Sequence, residues 1–439
     1  MHDKSVMPPK SHMSTSTTIP DPASPNWQRT AWLIVALLAP VALLNYFDRQ
    51  MLAAMKSSVM HDIPSVGSDA TWGLMLGQFK WVYAAMSPIG GYLADRFSRR
   101  WTICASLLAW SVITWLTGHA TTYEQLMWSR SAMGISEAFY IPAGLALIAD
   151  FHFGSTRAKA VGWHQAAIYC GVILGGFTGY IADSPTLGWR FAFDAAGIVG
   201  IIYGIVLFFF LKDAPRPAGS AVTITEKPSV AASAKALFGN PSFILMILYF
   251  TLPALSGWVV RDWMPAILKE QFHIGQGLAG VSATLYTNIA ALGAVFLGGY
   301  LSDKAIRKNI RGRIFVSATG MALIVPAIFG VGNASSLGMA IGFLMLFGAG
   351  WGLFDGNNMP ILSQVVRPEQ RATAYGLMNL VSISCGGLAD FWFGKMRDAK
   401  IPLNVIFGMF SLTVVASVVL ILLVRPKPEL SADTQPAGH

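Results

Sequence analysis

The chain has 439 residues, of which 54% are hydrophobic and only 12% charged, and its mean hydropathy is +0.52. A soluble chain carries about a quarter charged residues, so a water-soluble enzyme is excluded. The net charge of +9 and the pI near 9.5 sit in loop Lys and Arg residues and call for no nucleic-acid partner.

Residues 1–28 open the chain with a polar stretch rich in Ser, Thr and Pro and without the apolar core of a signal peptide, which predicts a disordered tail. Twelve apolar stretches follow, each able to cross about 30 Å of hydrocarbon as a helix. Six are expected at 31–55, 71–93, 101–119, 123–149, 158–182 and 189–211, and six at 241–268, 277–301, 314–332, 335–362, 372–396 and 402–424. An N-terminal bundle over 29–212 and a C-terminal bundle over 241–425 are thus separated by a segment of linker composition, 213–240, and followed by a tail, 426–439. The predicted fold is an all-α membrane protein of twelve transmembrane helices in two six-helix bundles.

Alternate connections are basic, as at Arg96, Arg99 and Arg100, at Arg157 and Lys159, at Lys304 to Arg313, and at Arg367 and Arg371. The positive-inside rule then places both termini in the cytoplasm, in a multi-pass plasma-membrane protein, a bacterial inner membrane being expected. Cys104, Cys170 and Cys385 lie within apolar stretches and read as small buried hydrophobes.

Charge inside these stretches is costly and marks function. Asp48 and Arg49, in "NYFDRQ", diverge by about 100 degrees on a helix, so one is expected to face a cavity and the other a neighbouring helix, with Asp48 balanced by Lys80 or Arg130. Arg130 and Glu137 are seven residues apart, nearly two turns, and share one face about 10 Å apart, predicted to line a water-filled cavity. Arg49, Lys80 and Arg130 are candidates to neutralise a carboxylate solute, and Asp48 and Glu137 to carry protons. Tyr46, Gln165, Arg261, Asn358 and Asn379 complete the candidate solute contacts. His164 reads as a packing residue. The pair Arg261–Asp262 reads equally as a solute contact or as a group reaching the headgroups, and "WGLFDGNNMP" as a bent, cavity-lining segment.

Two patterns recur once per half: "GGYLADRFSRR" at 90–100 with "GGYLSDKAIRK" at 298–308, and "RAKAVG" at 157–162 with "RATAYG" at 371–376. Near-equal offsets argue that the halves are copies related by an axis along the membrane normal. Over all twelve stretches the chain resembles the major facilitator superfamily. "NYFDR", "RSAMGISEAFYIPAG" and "GWRFAF" resemble its anion:cation symporters, which include hexuronate and galactonate importers. The resemblance implies that Gly91, Asp95, Arg96, Arg99, Arg100 and the repeat's Asp303 gate the halves, locking the outward-open state, that the span-one Asp and span-four Glu carry protons, and that Asn379 contacts solute. Lys80, where an aromatic is usual, and Asp390, where Pro or a small residue is usual, depart from that pattern. Asp390 is given Lys395 or Arg397 as partner, or the role of an extra titrating or solute-binding acid.

The function expected is import of a small organic anion, a sugar acid or related carboxylate, by proton symport through alternating access. No cofactor is expected; the proton is the coupling ion, with sodium the other candidate, and the working form is a monomer in the bilayer. A proton-coupled drug or lysolipid-like exporter and an uncoupled facilitator are the alternatives. No paired-carboxylate metal motif, His–Cys ligand spacing or phosphate loop supports a membrane-embedded enzyme.

Overall fold

The computed structural model describes residues 24–153, 155–215 and 230–431, apart from the side chains of residues 94, 95, 155, 230–233 and 431. The described residues form helices and turns and no strand. The N-terminal six spans are Pro25–Ala54, Asp69–Arg96, Arg99–Gly118, Tyr123–Phe151, Ser155–Asp183 and Gly188–Phe210. The C-terminal six are Pro241–Phe272, Gln276–Ile306, Gly312–Gly332, Leu337–Ser363, Arg371–Asp398 and Leu403–Leu423. Eleven are long and apolar enough to cross a membrane by composition; the second, which carries Lys80, is less apolar but has 28 residues, a length of about 42 Å.

Polar caps start these helices where the sequence supplies them. The hydroxyls of Ser68, Ser98, Thr122 and Ser336 accept from the backbone N–H three residues on, satisfying a donor that has no partner within the helix. Twelve crossings bring the two described ends to one face, called here the terminal face; the other is the far face. Residues 216–229 of the expected linker, most of the N-terminal tail and 432–439 lie outside the described residues, while 230–238 of that linker form a helix.

The fourth and tenth spans are each broken. The fourth stops at Glu137 and resumes at Tyr140, and the tenth stops at Asp355 and resumes at Asn358. Pro142 has no N–H to offer the Ala138 carbonyl, nor Pro360 the Gly356 carbonyl, so the helical ladder lapses at the same place in each half.

The halves meet chiefly where the second span lies on the eleventh and the fifth on the eighth. On the far half of these pairs the backbones nearly touch: a Cβ at Gly77 would lie 2.7 Å from the Gly387 carbonyl oxygen, and one at Gly280 2.2 Å from that of Gly176. Small residues permit this approach in a membrane, where packing rather than water exclusion holds helices together. Fourteen residues along the same faces, Gly91 and Gly162 would place a Cβ in open space, as would Gly376, eleven residues from Gly387 on the eleventh span. The halves are closed at the far face and splayed at the terminal face.

Two minor expectations fail. Of the cysteines only Cys104 is buried, Cys170 being exposed and Cys385 half-buried. Trp27, Trp72 and Trp189 lie near span ends, where tryptophan is expected as an interfacial anchor, and are buried instead; Trp189 donates to Asp62 at 2.9 Å and Trp27 to the Phe151 carbonyl at 3.0 Å.

Candidate functional site

Adjacent positions on the first span send Asp48 and Arg49 to different partners. Asp48 faces the third span, where its Oδ2 accepts from the Thr114 hydroxyl at 2.9 Å. Arg49 turns to the fourth span and donates from Nε to Glu137 Oε2 at 2.6 Å. Its guanidinium lies 4.8 to 4.9 Å from the ring centres of Tyr46, Phe79 and Tyr83. Three rings around a cation that is only 11% exposed supply attraction in place of part of its hydration, each about 0.5–2 kcal/mol.

Arg130 shares the face of Glu137, as the seven-residue spacing requires, yet pairs with no carboxylate among the described residues. Its guanidinium lies 4.4 Å from the centre of the Phe79 ring and donates to Met133 Sδ at 3.0 Å, with Nε unpartnered. Glu137, Asp48 and Arg130 lie within electrostatic reach of one another at 0%, 3% and 3% exposure. These three groups are buried, while Arg49 beside them stays partly exposed, its side chain 11% accessible.

The C-terminal half contributes Arg261, whose guanidinium lies 5.7 Å from the centre of the Tyr46 ring and 5.2 Å from that of Trp258, and which is within electrostatic reach of Asp355. Gln50 of the first span donates to the Arg261 carbonyl at 3.1 Å. Arg261 therefore stays at the seam and does not reach the headgroups. Gln165 adjoins Tyr169, itself near Arg261 and Asp355. Asn358 lies inside the C-terminal half, where its Oδ1 accepts from the Tyr249 hydroxyl at 3.0 Å, and the Asn379 amide donates back to the Tyr375 carbonyl at 3.0 Å. The Asn358 oxygen and the Asn379 amide nitrogen are thus engaged locally, while the Asn358 amide nitrogen is buried without a partner. His164 packs against the Tyr140 hydroxyl at 2.9 Å, as a packing residue would.

Lys80 and Asp390 correct the charge assignments. Lys80 does not balance Asp48; it bonds to Asp262 of the seventh span and to Asp390 of the eleventh, across the seam. Asp390 therefore takes neither Lys395, which lies over the Phe391 and Trp392 rings, nor Arg397, which pairs with Glu270. The close approach of the second and eleventh helices at Gly73 and Gly77 sets Lys80 against Asp390, a proximity that no spacing within one half reveals.

The basic cluster between the second and third spans makes its contacts within the N-terminal half. Arg99 pairs with Asp150 and donates to the Ala146 carbonyl at 2.6 Å, Arg100 donates to the Phe208 carbonyl, and Arg96 to the Tyr92 hydroxyl of its own helix. Asp303 lies 3.5 Å from Arg313 in the other half. The Asp95 side chain lies outside the described residues. Close helix approach falls to Gly90, whose Cβ would lie 2.6 Å from the Ala138 carbonyl, while Gly91 faces open space. Contacts confined to one half accord with halves splayed at this face.

The sequence reading missed Thr114, Phe79, Tyr83, Tyr169 and Trp258. Phe79 and Tyr83 carried a usable signal, an i, i+4 aromatic pair beside a lysine in a span, but the others are recruited by tertiary packing alone.

Residues 38–389 match the family described as the Major Facilitator Superfamily. Protein spinster of Drosophila melanogaster is 28% identical over 391 residues, a stretch that is 84% of this chain and 62% of the fly protein, so the chain spans less than two thirds of that relative. An MFS-type efflux pump of Mycolicibacterium smegmatis is 27% identical over 384 residues, 86% of this chain and 87% of the pump. Among solved structures, a bacterial homolog to the human lysosomal transporter spinster, in an inward-facing and unoccupied conformation, superposes with a TM-score of 0.72 at 20% identity, covering 90% and 95% of the two chains. A D-xylose-proton symporter superposes with a TM-score of 0.76 at 17% identity, covering 92% and 99%. The structural likenesses carry the fold, and the sugar-acid importers remain a resemblance of motifs. The chain belongs to the Major Facilitator Superfamily and is an integral multi-pass membrane transporter.

Proposed function

We propose that the chain is a proton-coupled secondary transporter of a small organic anion, with the terminal face cytoplasmic and the described state inward-facing. The observation that carries the reading is Arg130: a buried guanidinium in the field of Asp48, Glu137 and Asp262 but hydrogen-bonded to none of them, with Nε unpartnered, keeps its planar donors free, and an anionic solute fills them in bidentate geometry. Arg49 is already held by Glu137, and protonation of that carboxyl releases it for the same solute. Charge balance then links the two loads. Solute without the proton leaves an extra negative charge in the closed site, and the proton without solute leaves Arg49 and Arg130 both unpaired.

The test is thermal stabilisation of the purified protein by a panel of sugar acids, aromatic acids, dicarboxylates and amino-sugar acids. One class is expected to raise the melting temperature of the wild type and of Glu137→Gln but not of Arg130→Ala; stabilisation of Arg130→Ala by the same class as wild type refutes the site. A second reading, export of an amphipathic or lipid-like solute, is favoured by the aromatic lining of Tyr46, Phe79, Tyr83 and Trp258 and by the likeness to an efflux pump. Stabilisation by long-chain anions alone would select it.

A further inference from the structure

The seam above the candidate site holds a second charged group that this reading does not use. Lys80, about 16 Å below the far-face end of its helix, bridges Asp262 and Asp390 on two helices of the other half. Lys80 is 3% exposed and Asp390 0%, and Asp390 Oδ1 has no hydrogen-bond partner. The Trp258 ring covers the ammonium, its centre 4.3 Å away, and the Trp263 indole, whose Nε1 is also unpartnered, faces Asp390. From the fourth span Arg130 is within electrostatic reach of Asp262, but it serves Asp48 and Glu137 as well; Arg261, adjacent in sequence, serves Asp355. Within this connected set Asp48, Glu137, Asp262, Asp355 and Asp390 face Arg49, Lys80, Arg130 and Arg261, one carboxylate more than there are cations.

We propose that Asp262 and Asp390 form a second proton-binding site, which takes up one proton when the far-face seam closes and releases it when the halves part there. Two carboxylates against one ammonium carry a surplus negative charge, and burying a surplus charge is costly unless it is neutralised. A proton shared between the carboxylates, with Asp390 Oδ1 as its free acceptor, removes the surplus without enlarging the tightly packed seam. When the second and eleventh spans separate, both carboxylates hydrate, each meets water in place of the shared ammonium, and the proton leaves.

The charge count makes the test quantitative. Spin labels on exposed far-face positions, at His61→Cys and Ser335→Cys with the three native cysteines replaced by serine, report the ratio of closed to open far face without any solute present. Asp48→Asn, Glu137→Gln, Arg49→Gln and Arg130→Gln are included throughout, which silences the acids and cations of the proposed transport site in equal number and keeps the excess of one carboxylate, Asp262, Asp355 and Asp390 against Lys80 and Arg261, so failure here is separate from failure there. The ratio is expected to fall about tenfold per pH unit as pH rises, one proton's worth of linkage. Asp390→Asn and Asp262→Asn, on different helices so that misfolding of one leaves the other, are expected to abolish that slope. Lys80→Met, which leaves two carboxylates and no ammonium, is expected to double it to about a hundredfold per unit. A slope unchanged in either folded carboxylate variant, or no steepening in folded Lys80→Met, overturns the proposal. So does a closed fraction that follows sodium at fixed pH and loses that dependence in Asp390→Asn.

Discussion

The far-face seam between the fifth and eighth spans offers a perturbation whose size follows from the coordinates. In Gly280→Ala the new Cβ lands 2.2 Å from the Gly176 carbonyl oxygen, against an ordinary contact that begins at 3.4 Å. Neither atom is the end of a flexible side chain, so the helices must part by about an ångström, and forcing such overpacking costs about 1–3 kcal/mol. Only the closed far face carries that cost, which lowers the ratio of closed to open far face by about 5- to 150-fold. Electron–electron distances between labels at positions 61 and 335 read the ratio directly: a second, longer distance is expected to gain population in Gly280→Ala. Gly376→Ala is the control, because its Cβ meets nothing within 4 Å and it brings the same gain in helix propensity. A wild-type distance distribution in Gly280→Ala, or equal broadening in Gly376→Ala, would refute the assignment of this seam as the closed gate.

Two further outcomes are expected. Pro360→Ala restores the N–H that the Gly356 carbonyl lacks and is expected to close the break in the tenth span, raising the melting temperature while slowing solute exchange in liposomes; a faster exchange would count against a role for the break. At the far-face loops, partial burial alone would push the Asp62 carboxyl up, but the hydrogen bond from Trp189 and the nearby His61 and Arg190 outweigh it and hold the group below its ordinary 3.8. A depressed carboxylate stabilises the fold above its unfolded pKa and loses that contribution as pH falls through the folded one. The melting temperature of wild type is therefore expected to exceed that of Asp62→Asn by its full margin near pH 5 and by less below about pH 4, as differential scanning fluorimetry would show.

Much of the architecture was legible because each span needs its own apolar length, whatever it packs against. The two-half repeat was written in motifs that recur once per half, and the divergence of Asp48 and Arg49 and the shared face of Arg130 and Glu137 followed from helical geometry, which one helix suffices to fix. The partners of Lys80 and Asp390 did not, because they meet only across the seam, 310 residues apart, where the glycines of the second and eleventh spans admit close approach. Asn358 and Asn379 meet local partners that the sequence does not show, the Tyr249 hydroxyl on the Asn358 oxygen and the Tyr375 carbonyl on the Asn379 amide, while the Asn358 amide nitrogen stays unpartnered. Tyr46, Phe79 and Tyr83 close around Arg49, Tyr46 from its own helix and Phe79 and Tyr83 from one face of the second span, a convergence that only the packing of the two helices sets.

The central claim is that an anion held by Arg130 moves with a proton held in the Arg49–Glu137 pair. Its most direct measurement is solute accumulation in proteoliposomes under an imposed pH gradient, using the anion that stabilises the purified protein. Wild type is expected to concentrate the solute, and Glu137→Gln to bind and exchange it without concentrating it. Accumulation by Glu137→Gln equal to that of wild type would contradict the account.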